Sequence, residues 1–325
     1  PVSHGLAEAG LPSHEILARE HLEHPDLARA LDATGIPRAA RRIGDLIAGC
    51  DPSPLQGLIS GSLDLDKIEY LTRDARMCGV PYGTVDVDRL IHAITVVADD
   101  KNGRRVGIQE KGVSALESLL FAKYEMYRNV YWHHAVRSAT VMFKRLVRSA
   151  IAEGELDASW IARTTDEALM EALRGLAKRR VLAHRLRHRR LYKRVLDVRA
   201  AEVPQGSGDW LSRRPDLVER VEDRLATELG VAPGDILLDY PAKPRMLELD
   251  LPLLTKRGNT VSLTFDSDSG FLGIQQVAEQ LHTSARRLRV FGAQHMHLNE
   301  AAVLALVERS EEEMVRALAR EEALL

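Results

Sequence analysis

From His14 to about Leu196 apolar residues recur at intervals of three and four, and after "VPQGSGDW" (Val203 to Trp210) they begin to alternate with a period of two. A period near 3.6 buries one stripe of a helix and a period of two buries one face of a strand, so a chain carrying both in succession is bound to a helical body followed by a mixed part. Breaks at Pro25, Pro37, Pro52, Pro54, Pro81 and the turn Asp99 to Gly103 divide the first part into packed helices. Ser114 with Glu117 forms a capping box, from which one helix is expected to run through "LESLLFAKYEMYRNVYWHHAVRSATVMFKRLVRSAI". Its stripe Leu116, Leu120, Tyr124, Tyr127, Tyr131 and Ala135 should face the core or line a cleft.

In the second part a helix is expected over Arg214 to Leu229, followed by the strand "DILLDYP" and a hairpin in "MLELDLPLLTKRGNTVSLTF". Leu247, Leu249 and Leu251 share one strand face, Val261, Leu263 and Phe265 another, and Gly258-Asn259 supplies the reversal. "RRLRVFG" reads as a further strand, and Asn299 caps a long terminal helix bearing Val303, Leu306, Val307, Met314, Leu318 and Leu325. The expected fold class is mainly α, a helical core over residues 1–200 with a smaller C-terminal α+β lobe over residues 201–325.

Hydrophobic residues make up 45% and charged residues 28%, and the formal charge is only -2, which describes a globular chain with no acidic or basic excess to name a partner. Cys50 and Cys78 lie in no CxxC pattern, which argues against a disulfide framework or thiolate zinc site and fits a reducing cytoplasm. Neither a membrane-spanning apolar run nor a secretory leader is apparent. A Gly-rich phosphate loop, a GxSxG elbow and HExxH are also absent, which removes three common enzyme classes.

The chemistry concentrates in "SLDLDKIEYLTRD", Ser62 to Asp74. On a helix, Asp66, Glu69, Tyr70 and Asp74 fall near one another while Leu63 and Leu71 point elsewhere. A carboxylate there can hold a hard metal ion, and the adjacent lysine can meet phosphate oxygens as a point charge. A tyrosine one turn on offers a flat face to a sugar, and the next acid can accept from its hydroxyl. A solvated helix laced with ion pairs is the plain alternative.

Four phrases together, "PVSH" with "PSHE", "ISGSLDLDKIEYLTRDARMCGVPYGTVDVDRLI", "EMYRNVYWHHA" and "RRLYKRVLDV", resemble the HD-domain phosphohydrolases. Within that superfamily they look most like the deoxynucleoside triphosphate triphosphohydrolase branch. The resemblance spans roughly Pro1 to Ala200 and, more weakly, the "DILLDYP" and "LDLPLL" strands. It implies that Asp66 is a ligand of a divalent metal (Mg, Mn, Fe or Zn) and that Asp64 caps or supports the helix. It also implies that Lys67 and Arg128 bind the triphosphate, Tyr70 packs on the deoxyribose, and Asp74 holds its 3′-hydroxyl. His4 and His14 fall on histidines that contact phosphate or move a proton near the reacting phosphorus. The implied reaction is attack of a metal-activated hydroxide on the α-phosphorus, releasing deoxynucleoside and triphosphate. Family members also tend to be homo-oligomers.

This sequence departs from the pattern in two places. The usual upstream histidine and His-Asp pair do not precede Pro1, so a further segment carrying those ligands is expected. The acid that commonly follows the early histidine is replaced by Ala7, with Glu8 one place late.

A second function class rests on 174–199, where "RGLAKRRVLAHRLRHRRLYKRVLDVR" holds eleven Lys or Arg and one acid. Such a run could bind nucleic acid, as a binding protein or a nuclease would, or the polyphosphate of an effector nucleotide, in a protein that need not be catalytic. It lacks the interleaved aromatics of a single-strand binder. His133 and His134 diverge by about 100° on a helix and cannot easily share one ion. His295 and His297 lack a third ligand and read as surface residues.

Overall fold

A computed structural model describes residues 11–99, 103–242, 249–264, 271–272 and 278–325. The chain divides into two compact units, one formed by Ser13–Val130 with Arg245–His282 and the other by Pro1–Pro12, Tyr131–Pro244 and Thr283–Leu325. In chain order the first unit holds α1 (His14–Leu22), α2 (Pro25–Asp32), α3 (Ala39–Ile47), α4 (Leu65–Cys78), α5 (Val87–Ile91), β1 (Ile94–Asp99), β2 (Gly103–Gln109) and α6 (Val113–Met126). A π-helical turn, Tyr127–Tyr131, is followed in the second unit by α7 (His134–Ala152), α8 (Ala158–Ile161), α9 (Asp166–Gly175) and α10 (Arg180–Arg187). That unit continues with β3 (Lys193–Arg199), α11 (Trp210–Arg213), α12 (Pro215–Glu228) and β4 (Ile236–Asp239). The chain then adds β5 (Asp250–Leu254) and β6 (Thr260–Thr264) to the first unit. After α13 (Ala278–Ala285) it completes the second with β7 (Arg287–Gly292), α14 (Glu300–Glu308) and α15 (Glu311–Ala319). The protein is mainly helical, with two small sheets among the helices and most strands drawn from its C-terminal part.

The first sheet has the order β1-β2-β5-β6, with β1 and β2 antiparallel, β2 and β5 parallel, and β5 and β6 antiparallel. The expected hairpin at Gly258-Asn259 is the β5–β6 pair, in which Leu251 stands opposite Leu263 and both are buried. Leu247 and Phe265 lie outside the described residues. The β1–β2 hairpin overturns a helical reading of 94–109. Ile94, Thr95, Val96 and Val97 are β-branched residues that favour a pleated strand, and they pair in register with Ile108, Gly107, Val106 and Arg105. Arg105 clamps Asp250 with two hydrogen bonds, 3.1 and 2.8 Å, and the Asp250 backbone N–H donates to Ser62 Oγ at 2.8 Å. The loop that enters α4 is thereby tied to the sheet.

The sheet of the second unit is antiparallel throughout, with the order β3-β7-β4. The boundary expected at residue 200 falls within this unit, because β3, just before it, pairs with β7 near the C-terminus. Both faces of the sheet are covered, so β4 is buried at every position. Ile236 and Leu238 join Leu288 and Val290 in the larger core with α12, α14 and α15, while Leu237 and Phe291 pack on Val141 and Met142 of α7. Burying such side chains stabilises the fold by roughly 1.5–3 kcal/mol each.

Three helix boundaries differ from expectation. The helix expected from Ser114 starts at Val113 without a side-chain cap, and it is interrupted by the π turn and by Trp132 and His133 before α7 begins. The basic residues before Arg199 are in part a strand, because Leu196 and Val198 reach the core on alternate positions while Asp197 takes the other face. Asn299 caps as expected, donor N–H groups coming from Ala301 and Ala302, but the terminal helix stops at Glu308. Ser310 and Glu313 form a reciprocal capping box that starts α15 afresh.

The placement of α4 depends on Gly83. A methyl group there would lie inside van der Waals contact with Ala75 Cβ and 2.8 Å from the Leu71 carbonyl oxygen. Gly83→Ala should therefore destabilise the protein by about 1–3 kcal/mol, seen as a lower urea midpoint at unchanged slope. A midpoint equal to that of the parent would show that this close approach is not a constraint.

Candidate functional site

The acidic stretch folds as α4, and its local chemistry explains the start. Asp64 has extended backbone angles and accepts the Lys67 backbone N–H at 2.8 Å, which satisfies one of the free donors of the first turn. Asp64 is buried, as the capping role requires, and its other oxygen meets Lys67 Nζ at 2.5 Å. The same ammonium donates to the Gly61 carbonyl at 2.6 Å. Leu63, Ile68, Leu71 and Ala75 are buried and hold the opposite side of the helix in the core. Gly79, at φ 66°, ends the helix in the left-handed conformation that glycine adopts without steric cost.

Asp66 lies in the first turn and is exposed, where the helix dipole favours a negative charge. One turn on, Tyr70 is half-buried. Burial is the main cause that raises its pKa well above the ordinary phenol range; Tyr127, Asp64, Asp66 and Asp74 add to it. These five groups therefore share one neighbourhood, and the Tyr70 hydroxyl stays protonated as a donor. Asp74 accepts from Arg73 Nη1 at 3.0 Å, and Arg73 Nε in turn reaches Glu69 at 2.8 Å.

The second wall comes from α6, which packs on α4. Tyr124 is buried and its hydroxyl accepts from Arg128 Nη1 at 2.8 Å, so the guanidinium has a fixed anchor at the π turn. Tyr127, also raised by burial, brings this turn to Tyr70. π turns occur disproportionately at functional sites, since the extra residue redirects side chains that an α-helix would carry past. Tyr127 was legible in the sequence only as a member of a stripe; the π turn is what gives it a place beside Tyr70.

Asp66, Tyr70 and Asp74 are thus gathered with Tyr127, while Lys67 is held at the helix start and Arg128 at the π turn. His14 opens α1, exposed, with Nε2 3.3 Å from Glu15. His4 lies outside the described residues. Among the described residues no group of three or more His, Cys, Asp or Glu side chains could hold a metal ion. Asp66 could supply one ligand where a divalent ion takes four or more, so these residues alone do not make a metal centre.

The other candidates resolve on geometry. His133 caps α7, its Nδ1 accepting the Ala135 backbone N–H at 3.3 Å. His295 and His297 are exposed. In the basic segment, Arg174, Lys178, Arg179, Arg187, Arg194 and Arg199 are paired with carboxylates of the same unit. Arg185 lies 5.4 Å from the Tyr192 ring centroid. Much of the charge counted along the sequence is therefore neutralised within the fold. No helix among the described residues is long and apolar enough to cross a membrane.

Comparison with known proteins gives the following likenesses. An uncharacterised protein of Methanocaldococcus jannaschii is 31% identical over 261 residues, 79% of this chain and 54% of that protein. Protein YwfO of Bacillus subtilis, also uncharacterised, is 30% identical over 149 residues, 42% of this chain and 33% of that one. The chain thus spans about half the length of the archaeal relative and less of the bacterial one. Among solved structures, a phosphohydrolase from Bacteroides thetaiotaomicron has a TM-score of 0.62 at 18% identity, covering 90% of this chain and 76% of its own. A hypothetical protein from Aquifex aeolicus has a TM-score of 0.60 at 20% identity, covering 89% and 77%. At these identities the likeness is one of fold alone. The family model described as the HD associated region matches residues 85–304, a span that includes Arg128 but begins after α4. With more than half of its length matched, the chain belongs to the HD associated region family.

Proposed function

We propose that the protein is a phosphohydrolase acting on deoxynucleoside triphosphates, releasing the deoxynucleoside and inorganic triphosphate. The observation that carries this reading is the grouping of Tyr70 with Asp66, Asp74 and Tyr127 at one end of which stands the Lys67 ammonium. The likeness in fold to a phosphohydrolase supports it. Lys67 and Arg128 supply positive charge to the triphosphate oxygens, each from an anchored position. The Tyr70 hydroxyl, kept protonated, can donate, and its ring packs on the sugar. Asp74 accepts from the 3′-hydroxyl, which fixes the position of the sugar. His4 and His14 are assigned to proton transfer at the departing oxygen. Asp66 contributes one ligand to a divalent ion, Mg, Mn, Fe or Zn, and the others come from residues outside those described. The working form is a homo-oligomer, and the site of action is the cytoplasm.

The test uses the complete natural polypeptide with each deoxynucleoside triphosphate and Mg²⁺ or Mn²⁺, the products being separated by ion exchange. Nucleoside and triphosphate in equal amounts are expected. Release of pyrophosphate or of single phosphate would replace the assignment with a different phosphohydrolase reaction. The nucleic-acid reading loses support from the internal pairing of the basic segment, and is excluded if an oligonucleotide is not retained at low salt.

A further inference from the structure

The sheet of the second unit has one polar row on the face that meets α7. Register places Asp197 of β3 and Asp239 of β4 opposite Arg289 of β7, so the arginine stands between two carboxylates. Asp239 is already taken by Arg137 of α7, which donates to it at 3.0 and 2.6 Å with both side chains buried. Asp197 is shared among Arg194, Arg287 and Arg289, its Oδ1 lying 3.3 Å from Arg287 Nη1 and 3.4 Å from Arg289 Nε. Four guanidinium groups therefore meet two carboxylates.

Arg289 is the member left short. Its side chain is 6% exposed, and neither Nε nor Nη1 donates a hydrogen bond. A buried donor without an acceptor costs about 1–3 kcal/mol, and a guanidinium offers a planar fork that matches an oxyanion. Burial lowers its pKa, which Asp197 and Asp239 only partly oppose. The surroundings are cationic as well. His134, first residue of α7, is exposed, and its pKa is lowered first by burial and then by His133, Arg194 and Arg289, with Asp197 opposing. His134, at the start of this long helix, thus lies within electrostatic reach of the unsatisfied arginine.

We propose that the junction of the α7 N-terminus with Arg194, Arg287 and Arg289 binds a phosphate group, carried either by inorganic phosphate or by a nucleotide. The anion supplies the acceptors that Arg289 lacks and offsets the excess of arginine over aspartate. Arg194, 43% exposed, and His134 form its outer side and move aside to admit it. The site consists of residues other than those given to deoxynucleotide hydrolysis.

The complete protein is titrated with inorganic phosphate, and separately with a non-hydrolysable nucleoside triphosphate, against sodium chloride at matched ionic strength. Thermal unfolding and calorimetry supply the readouts. A saturable rise in Tm with phosphate, beyond that with chloride, is expected. Arg194→Gln and His134→Glu, both at exposed positions, should weaken it about tenfold or more, as should Arg289→Met if that variant folds. Lys67→Gln should leave the inorganic phosphate response unchanged. Saturation by the nucleotide alone, still sensitive to Arg194→Gln, would assign the phosphate to a nucleotide tail. The proposal falls if neither phosphate nor the nucleotide does more than chloride, if both exposed variants bind as the parent does, or if Lys67→Gln alone abolishes the response.

Discussion

Arg137→Met should lower the free energy of unfolding by about 3–5 kcal/mol, the largest stability loss expected of a single change considered for this protein. Asp239 is 2% exposed at its side chain, and Arg137 meets it with two hydrogen bonds. Removing the guanidinium leaves a carboxylate buried without its bidentate partner, and the neighbouring Arg289 cannot substitute because its position on β7 is fixed by pairing with both flanking strands. Methionine fills most of the volume, so a cavity is not the cause. Arg137→Lys should fall between parent and Arg137→Met, since an ammonium keeps the charge and loses the fork. Urea unfolding at neutral pH checks the order. A loss below about 1 kcal/mol for Arg137→Met would place the pair with surface ion pairs and remove it as the link between α7 and the sheet.

Structure is legible in the sequence where one local signal matches the tertiary outcome. Gly258-Asn259 between alternating apolar residues reads as a hairpin and is one, and Asp64, for which the resemblance implies a role in capping or supporting the helix, is its N-cap. Structure is hidden where two patterns overlap. Ile94 to Val97 continues an apolar stripe and also suits a strand, and pairing with distant β5 through β2 decides the matter. The strand β3 was hidden by its charge, for Lys193, Arg194 and Arg199 look like a solvated helix until Leu196 and Val198 are seen to reach a core shared with β7. The candidate site divides in the same way. Asp66, Tyr70 and Asp74 sit on one helix, so their spacing already brings them together. Tyr127 comes from another helix through a π turn, and nothing in its neighbours' spacing announces that extra residue. Arg289 reads in the sequence only as part of a strand, because its lack of acceptors arises from carboxylates on two other strands, Asp197 and Asp239, that Arg194, Arg287 and Arg137 also engage.

Asp66→Ala should reduce deoxynucleoside triphosphate hydrolysis about 100-fold or more while changing stability by about 1 kcal/mol at most. The two halves of this expectation have separate grounds. Asp66 is exposed in the first turn of α4, where its structural contribution is a dipole interaction of fractions of a kcal/mol. Its chemical part in the proposed site is direct, and loss even of an indirect ligand partner commonly costs 10–100-fold. Asp64→Ala supplies the contrast two residues earlier. That carboxylate is buried, caps the helix and holds Lys67, so its removal should cost about 1–2 kcal/mol of stability along with activity. Steady-state rates for triphosphate release, with urea midpoints on the same preparations, separate the two residues. An Asp66→Ala protein that keeps its rate would mean that the acidic face of α4 is a solvated surface, and hydrolysis, if present, would have to be assigned elsewhere. Equal loss of midpoint in both variants would instead give Asp66 a structural role that its exposure does not suggest.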